Sequence, residues 1–186
     1  MRMKVAKIPV LRTVISMMLS PAAILKTTLA GIPWFFSLAV SALAFALFFL
    51  QTGLDLYRTG QKQLAFALGS AGAGAVYGAT VIPLLAAAVW AILKITRTDK
   101  PIGWAVSSFC LSYSGALVYG LAGLFFSLLW GWKTSVAFGV TGVLWATGPL
   151  IVAVREMTGG NSALSVFFAT VAGLAVLLTW SVFGRI

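Results

Sequence analysis

The chain is poor in charge, and poorest in acid. Of its 186 residues, 13 are Lys or Arg, 3 are Asp or Glu and none is His. Charged residues make up 9%, against roughly 25% in soluble domains. Hydrophobic residues make up 61%, and the mean hydropathy is +1.04. An ordinary soluble domain and intrinsic disorder are both excluded. A single cysteine, Cys110, excludes an intrachain disulfide, a Cys-based zinc site and a CxxC redox pair. The missing His excludes a Ser–His protease pair. The sequence calls for no cofactor and no metal. What remains in quantity is apolar sequence, and in hydrocarbon a helix satisfies its own backbone. The class is all-α: a polytopic transmembrane bundle.

The few charges divide the chain. They bound five uncharged stretches, at 27–54, 63–93, 101–132, 134–154 and 157–184. About 20 helical residues cross the hydrocarbon core, so each stretch holds one span and none holds two. Trp residues favour the membrane interface, and Trp34, Trp90, Trp104, Trp130, Trp132 and Trp180 stand near stretch ends. The spans are placed near 32–51, 70–93, 102–130, 135–154 and 163–183. Splitting span three at residues 114–115 would make six, with two halves too short to cross.

Basic residues set the orientation. Arg2, Lys4, Lys7, Arg12 and Lys26 precede span one, Lys94, Arg97 and Lys100 follow span two, and Arg155 follows span four. Those nine face Arg58, Lys62, Lys133 and Arg185 on the other side. The positive-inside rule puts the N-terminus in the cytoplasm and the C-terminus outside. Near an anionic leaflet each Lys or Arg contributes roughly 1 kcal/mol. The nine are therefore read as contacts to the anionic inner leaflet. Nucleic-acid binding is a poor reading of the basic balance, because the charges flank spans.

Residues 1–31 form a basic segment with one or two short interfacial helices, and 32–186 form the five-span domain. Val10, Leu11, Val14, Ile15, Met18 and Leu19 recur at helical spacing. Ser20 then Pro21 is a helix start and Gly31 a stop. The same residues also allow a short signal peptide, or helices docked on the bundle.

By this placement Gln51 lies at an edge and no ionisable group lies in the bilayer interior. A proton relay built on a buried carboxylate is then excluded. Asp99 and Glu156 share a face, but nothing in the sequence brings their loops together. Small and hydroxyl residues do cluster inside. Ser70, Gly74 and Gly78 recur at steps of four in span two, which suits close helix packing, in the bundle or between copies. Pro83 further along predicts a kink. In span three, Ser108, Ser112, Gly115 and Tyr119 share one helix face. With Tyr77, Tyr113 and Ser114, Ser108 and Ser112 could line a pocket for a lipid head group or small solute. The blander reading has each hydroxyl bonded to its own helix. A bend at residues 112–115 would fit the long third stretch into the bilayer. After Arg155, Thr158 to Ser162 reads as a turn, with Ser162 capping span five.

Taken together, these features resemble the Yip family, the Ypt/Rab-interacting type. They are a basic segment with Ser20-Pro21, five spans, the turn from Trp90 to Arg97, the break Ser112-Tyr113-Ser114-Gly115, and Arg155 before a Gly-rich turn. The resemblance covers about residues 10–186. It implies a cytoplasmic N-terminus, five helices and a non-enzymatic role in organising membranes or partner proteins, which could include a second copy of the chain. Eukaryotic members contact Rab GTPases. This chain has no long acidic N-terminal region and no Pro after Tyr113, and looks like a short prokaryotic member in a cytoplasmic membrane. Architecture and topology carry over, and no catalytic residue does. The alternative from a different class is a small permease or lipid-handling protein using the hydroxyl pocket.

Five spans make a direct prediction. Reporter fusions after Thr98 and after Ile186 will report opposite sides of the membrane. The same side for both would refute five spans.

Overall fold

The computed structural model describes residues 10–95 and 98–183. Every element among them is helical. A bent pair comes first, α1 (Val10–Leu19) and α2 (Pro21–Gly31). Then follow α3 (Trp34–Arg58), α4 (Leu64–Ile95), α5 (Ile102–Ser112), α6 (Ser114–Trp130), α7 (Ser135–Met157) and α8 (Ser162–Phe183). Among the described residues five spans are long and apolar enough to cross a membrane, α3, α4, α5 with α6, α7 and α8, and the bent pair α1–α2 would be a sixth only if taken as one broken span. The chain is an all-α integral membrane bundle.

Close approach of α3 and α4 builds the core. A Cβ added at Gly74 would stand 2.2 Å from the Phe45 carbonyl oxygen, and one at Gly78 2.3 Å from that of Ser41. One at Gly53 would stand 2.6 Å from Ala67 Cα. These glycines let the two backbones touch. The Ser41 hydroxyl lies 2.8 Å from the Gly78 carbonyl oxygen and 3.0 Å from that of Leu38. Ser70 is buried in the same row and donates to its own Phe66 carbonyl. The row Ser70, Gly74, Gly78 thus lies inside the bundle, against α3. Gly69 and Gly72 of the same helix face open space. Pro83 lies within α4, which runs on as one helix.

Around that pair the other helices pack by aromatic side chains. Phe45 meets Tyr113 at 4.9 Å between ring centroids, and Phe48 stacks on Trp180 at 5.1 Å. Phe183 of α8 meets Phe49 at 4.5 Å. The third span is interrupted at Tyr113 alone, inside the expected 112–115 break. Gly115 is needed there, since a Cβ would stand 2.6 Å from the Trp145 ring.

Several boundaries differ from the sequence reading. Helix α3 continues past Gln51 to Arg58, and α4 starts at Leu64. The cap of α8 is Asn161, whose Oδ1 accepts the Leu164 N–H at 3.1 Å, with Ser162 already in the helix. Ser20 occupies the cap position before Pro21 without a side-chain cap bond. The axes of Leu11–Leu19 and Pro21–Gly31 diverge by 118°. Helix α1 rests on α5 and α6, and its Val14 and Met17 join a cluster with Leu111, Ala153 and Leu117. Since α5 is 11 residues, about 16 Å, α6 starts roughly halfway through the hydrocarbon core. The face of α1 turned to the bundle is Thr13, Val14 and Met17, while Leu11, Ile15 and Leu19 of its apolar stripe stay exposed.

The two sides of α4 predict opposite mutational effects. Gly78→Ala must push α3 away and will lower stability by about 1–3 kcal/mol. Gly72→Ala, on the open side, will be neutral or raise it by up to about 1 kcal/mol. Unfolding in mixed micelles reads both, and equal effects would disprove the α3–α4 contact.

Candidate functional site

One end of the bundle gathers the Pro21 end of α2, the loop before α5 and the exit of α7. Helix α7, through 23 residues, spans about 34 Å, so Arg155 and Glu156 near its end stand at headgroup level. Lys26 of α2 reaches Glu156 with Nζ to Oε1 at 3.5 Å. Lys26 is 62% exposed, so the pair adds roughly 0–1 kcal/mol at most. It ties α2 to α7 in position more than in energy.

Two clefts adjoin at this pair. The first, about 510 Å³, is lined by Ala22, Lys26, Val152, Arg155, Glu156, Gly159 and Gly160. The second, about 390 Å³, is lined by Thr98, Asp99, Lys100, Glu156, Met157, Thr158 and Gly159. Glu156 and Gly159 belong to both and form the saddle between them. Gly159 and Gly160 have φ of +62° and +100°, where a side chain is strained. Both glycines are exposed, and the Gly160 N–H donates to the Arg155 carbonyl at 2.9 Å, closing the turn after α7.

Asp99 and Glu156, separated in sequence, thus line one cleft. Among the described residues neither Asp99 nor Arg155 has an ion-pair partner. Lys100 lies 5.0 Å above the Trp104 ring, and its carbonyl accepts Trp90 Nε1–H at 2.9 Å. Lys94 lies 5.7 Å from the Trp90 ring. Arg12 is exposed on α1. Of the basic residues read as lipid contacts, the structure brings Lys26, Arg155 and Lys100 together around the saddle. Arg2, Lys4, Lys7 and Arg97 lie outside the described residues.

The hydroxyls of span three are placed differently. Ser108 donates to Ala105 O at 2.9 Å, Ser112 to Ser108 O at 2.8 Å and Ser114 to Leu111 O at 2.7 Å. All three are buried, as is Tyr113. Tyr77 OH pairs with Thr179 Oγ1 at 2.6 Å, joining α4 to α8. Each serine hydroxyl has spent its one proton on a carbonyl of its own span, that of Ser114 bridging the break between α5 and α6.

The sequence reading missed a polar seam at the opposite end. Gln51 and Asp55, read as edge and loop residues, are buried on α3. Asp55 Oδ2 accepts the Ser135 N–H at 2.9 Å and Oδ1 that of Thr134 at 3.3 Å. Asp55 thereby caps α7 from another helix, where a carboxylate also suits the dipole. Arg58 lies 3.7 Å from Asp55 and donates to Ser127 Oγ and O, each at 2.6 Å, and to Trp132 O. Gln51 donates to Gly120 O at 2.8 Å, while its Oε1 is buried without a hydrogen-bond donor. Residues 51, 55 and 58 share one helix face. That spacing was the available signal, and an uncharged-stretch boundary at residue 54 cut across it.

No protein-family model, curated protein or solved structure matches the chain.

Removing the cap tests the seam. Asp55→Asn keeps one acceptor and will lower stability by about 1–2 kcal/mol. Asp55→Leu leaves two N–H groups and Arg58 uncompensated and will cost about 3 kcal/mol or more. Unchanged unfolding for both would show that the first turn of α7 does not depend on Asp55.

Proposed function

We propose that the protein is a non-enzymatic integral membrane protein that organises an anionic leaflet and its protein partners, with the Lys26–Arg155 end in the cytoplasm. This agrees with the Yip-family resemblance of the sequence. The observation that supports it most is the separation of polar groups. Ser108, Ser112 and Ser114 donate to carbonyls of their own span, whereas cations and open clefts collect at one end of the bundle. A permease would use interior polar groups free to meet a solute, and Ser108, Ser112 and Ser114 are engaged. Non-specific attraction to anionic lipid follows from net charge +10, most of it flanking the spans.

Mass spectrometry of what co-purifies with the protein tests this reading. Anionic phospholipid will be enriched over its share of the source membrane. Enrichment will fall several-fold when Lys26, Lys94, Lys100 and Arg155 are all changed to Gln, because each cation contributes roughly 1 kcal/mol. Tyr113→Phe will leave it unchanged. A ligand lost with Tyr113→Phe but kept by the Gln variant would favour the permease reading instead.

A further inference from the structure

We propose that the saddle at Glu156 and Gly159 is a specific site for a zwitterionic phospholipid headgroup, one carrying a phosphate and a primary ammonium. The inference rests on the membrane-organising reading but asks more of the site than attraction between a basic face and an anionic leaflet.

The charges are arranged in sequence across the two clefts. Lys26 and Arg155 line the first, together with the exposed Gly159 and Gly160. Asp99 and Lys100 line the second, where the Lys100 ammonium lies 5.0 Å over the Trp104 ring, and Glu156 stands where the two meet. A simple anionic headgroup would profit from Lys26 and Arg155 but would be repelled by two carboxylates. A zwitterion satisfies both: phosphate toward Lys26 and Arg155, ammonium toward Glu156 and Asp99. Carboxylates that repel the wrong ligand are as much a source of specificity as cations that attract the right one. The ammonium must carry protons, because charge-assisted hydrogen bonds to carboxylates require an N–H donor. A quaternary choline has none.

The position favours a lipid over a soluble zwitterion. The saddle lies at headgroup level by the length of α7, and Val152, Ala22 and Met157 line the clefts beside the charged groups. An acyl chain leaving the headgroup would continue down the apolar flank of α7. Lys26 already holds Glu156 at 3.5 Å, so the ligand joins an existing ion pair and extends it at both ends.

Native mass spectrometry of the delipidated full chain, titrated separately with phosphatidylethanolamine, phosphatidylcholine and phosphatidylglycerol, tests the site. Phosphatidylethanolamine will bind first and about tenfold more tightly than phosphatidylcholine, the ratio expected for charge-assisted hydrogen bonds. Glu156→Gln will abolish that preference and strengthen phosphatidylglycerol binding, because it removes repulsion and frees Lys26. Asp99→Asn, at an exposed loop position, will act in the same direction more weakly and guards against a folding defect in the first variant. Soluble phosphoethanolamine at equal concentration will not compete, and effective competition would overturn the lipid assignment. If phosphatidylglycerol binding rises in both variants while the phosphatidylethanolamine preference persists, only net charge is being read and the site is disproved. That outcome leaves the anionic-leaflet reading standing. Failure of all lipids to bind would remove both.

Discussion

The contact between the backbones of α3 and α4 is the constraint on which the rest of the bundle depends. Gly53, Gly74 and Gly78 leave no room for a Cβ there, and the Ser41 hydroxyl spans the remaining gap. In lipid no hydrophobic force drives helices together, so close packing and interhelical hydrogen bonds must do it. With α4 seated on one side of α3, its other sides are left to receive α5, α6 and α7. The phenyl rings of Phe45, Phe48 and Phe49 then set where Tyr113, Trp180 and Phe183 lie. Helix α3 is the post on which the third span packs, while the fifth packs mainly on α7 and touches α3 through Trp180 and Phe183.

Helix α3 also carries the polar seam, so packing and electrostatics use the same element. Gln51, Asp55 and Arg58 point one way while the Gly74 and Gly78 contacts occupy another. Asp55 can be buried because two N–H groups and Arg58 meet it. Arg58 in turn binds the carbonyl oxygen of Ser127, which also accepts the Gly131 N–H at the end of α6. The end of α6 and the start of α7 are thus fixed to one turn of α3. A membrane helix end needs such partners, since unpaired backbone groups at this depth are costly.

Much of the fold was legible because charge is so scarce. A charged residue stands near each end of spans four and five, and those spans fall close to where the sequence puts them. The same rule failed at the first span. Asp55 and Arg58 looked like a loop because the groups that neutralise them, Ser127, Thr134 and Ser135, are about 70 to 80 residues away. Only tertiary structure supplies those partners. That Asp99 and Glu156 line one cleft was invisible for a related reason. It depends on how two loops converge, and periodicity within a helix carries no information about that. The row Ser70, Gly74, Gly78 was readable as a packing face, while its partner was not, since any helix with a matching groove would serve.

The two ends of the bundle use their charges in opposite ways, and this asymmetry points to where function resides. At the Arg58 end, carboxylate and guanidinium are consumed by backbone and hydroxyl groups of the protein itself. Little capacity is left there for a ligand. At the Lys26 end, one ion pair is formed at the surface, and Arg155 and Asp99 line open clefts with no ion-pair partner among the described residues. Structural need alone does not call for unpaired charges of both signs at a site of that size. Between the ends, Ser108, Ser112 and Ser114 are turned back on carbonyls of their own span. On the proposed reading, recognition falls to that charged face, and the interior holds it in shape.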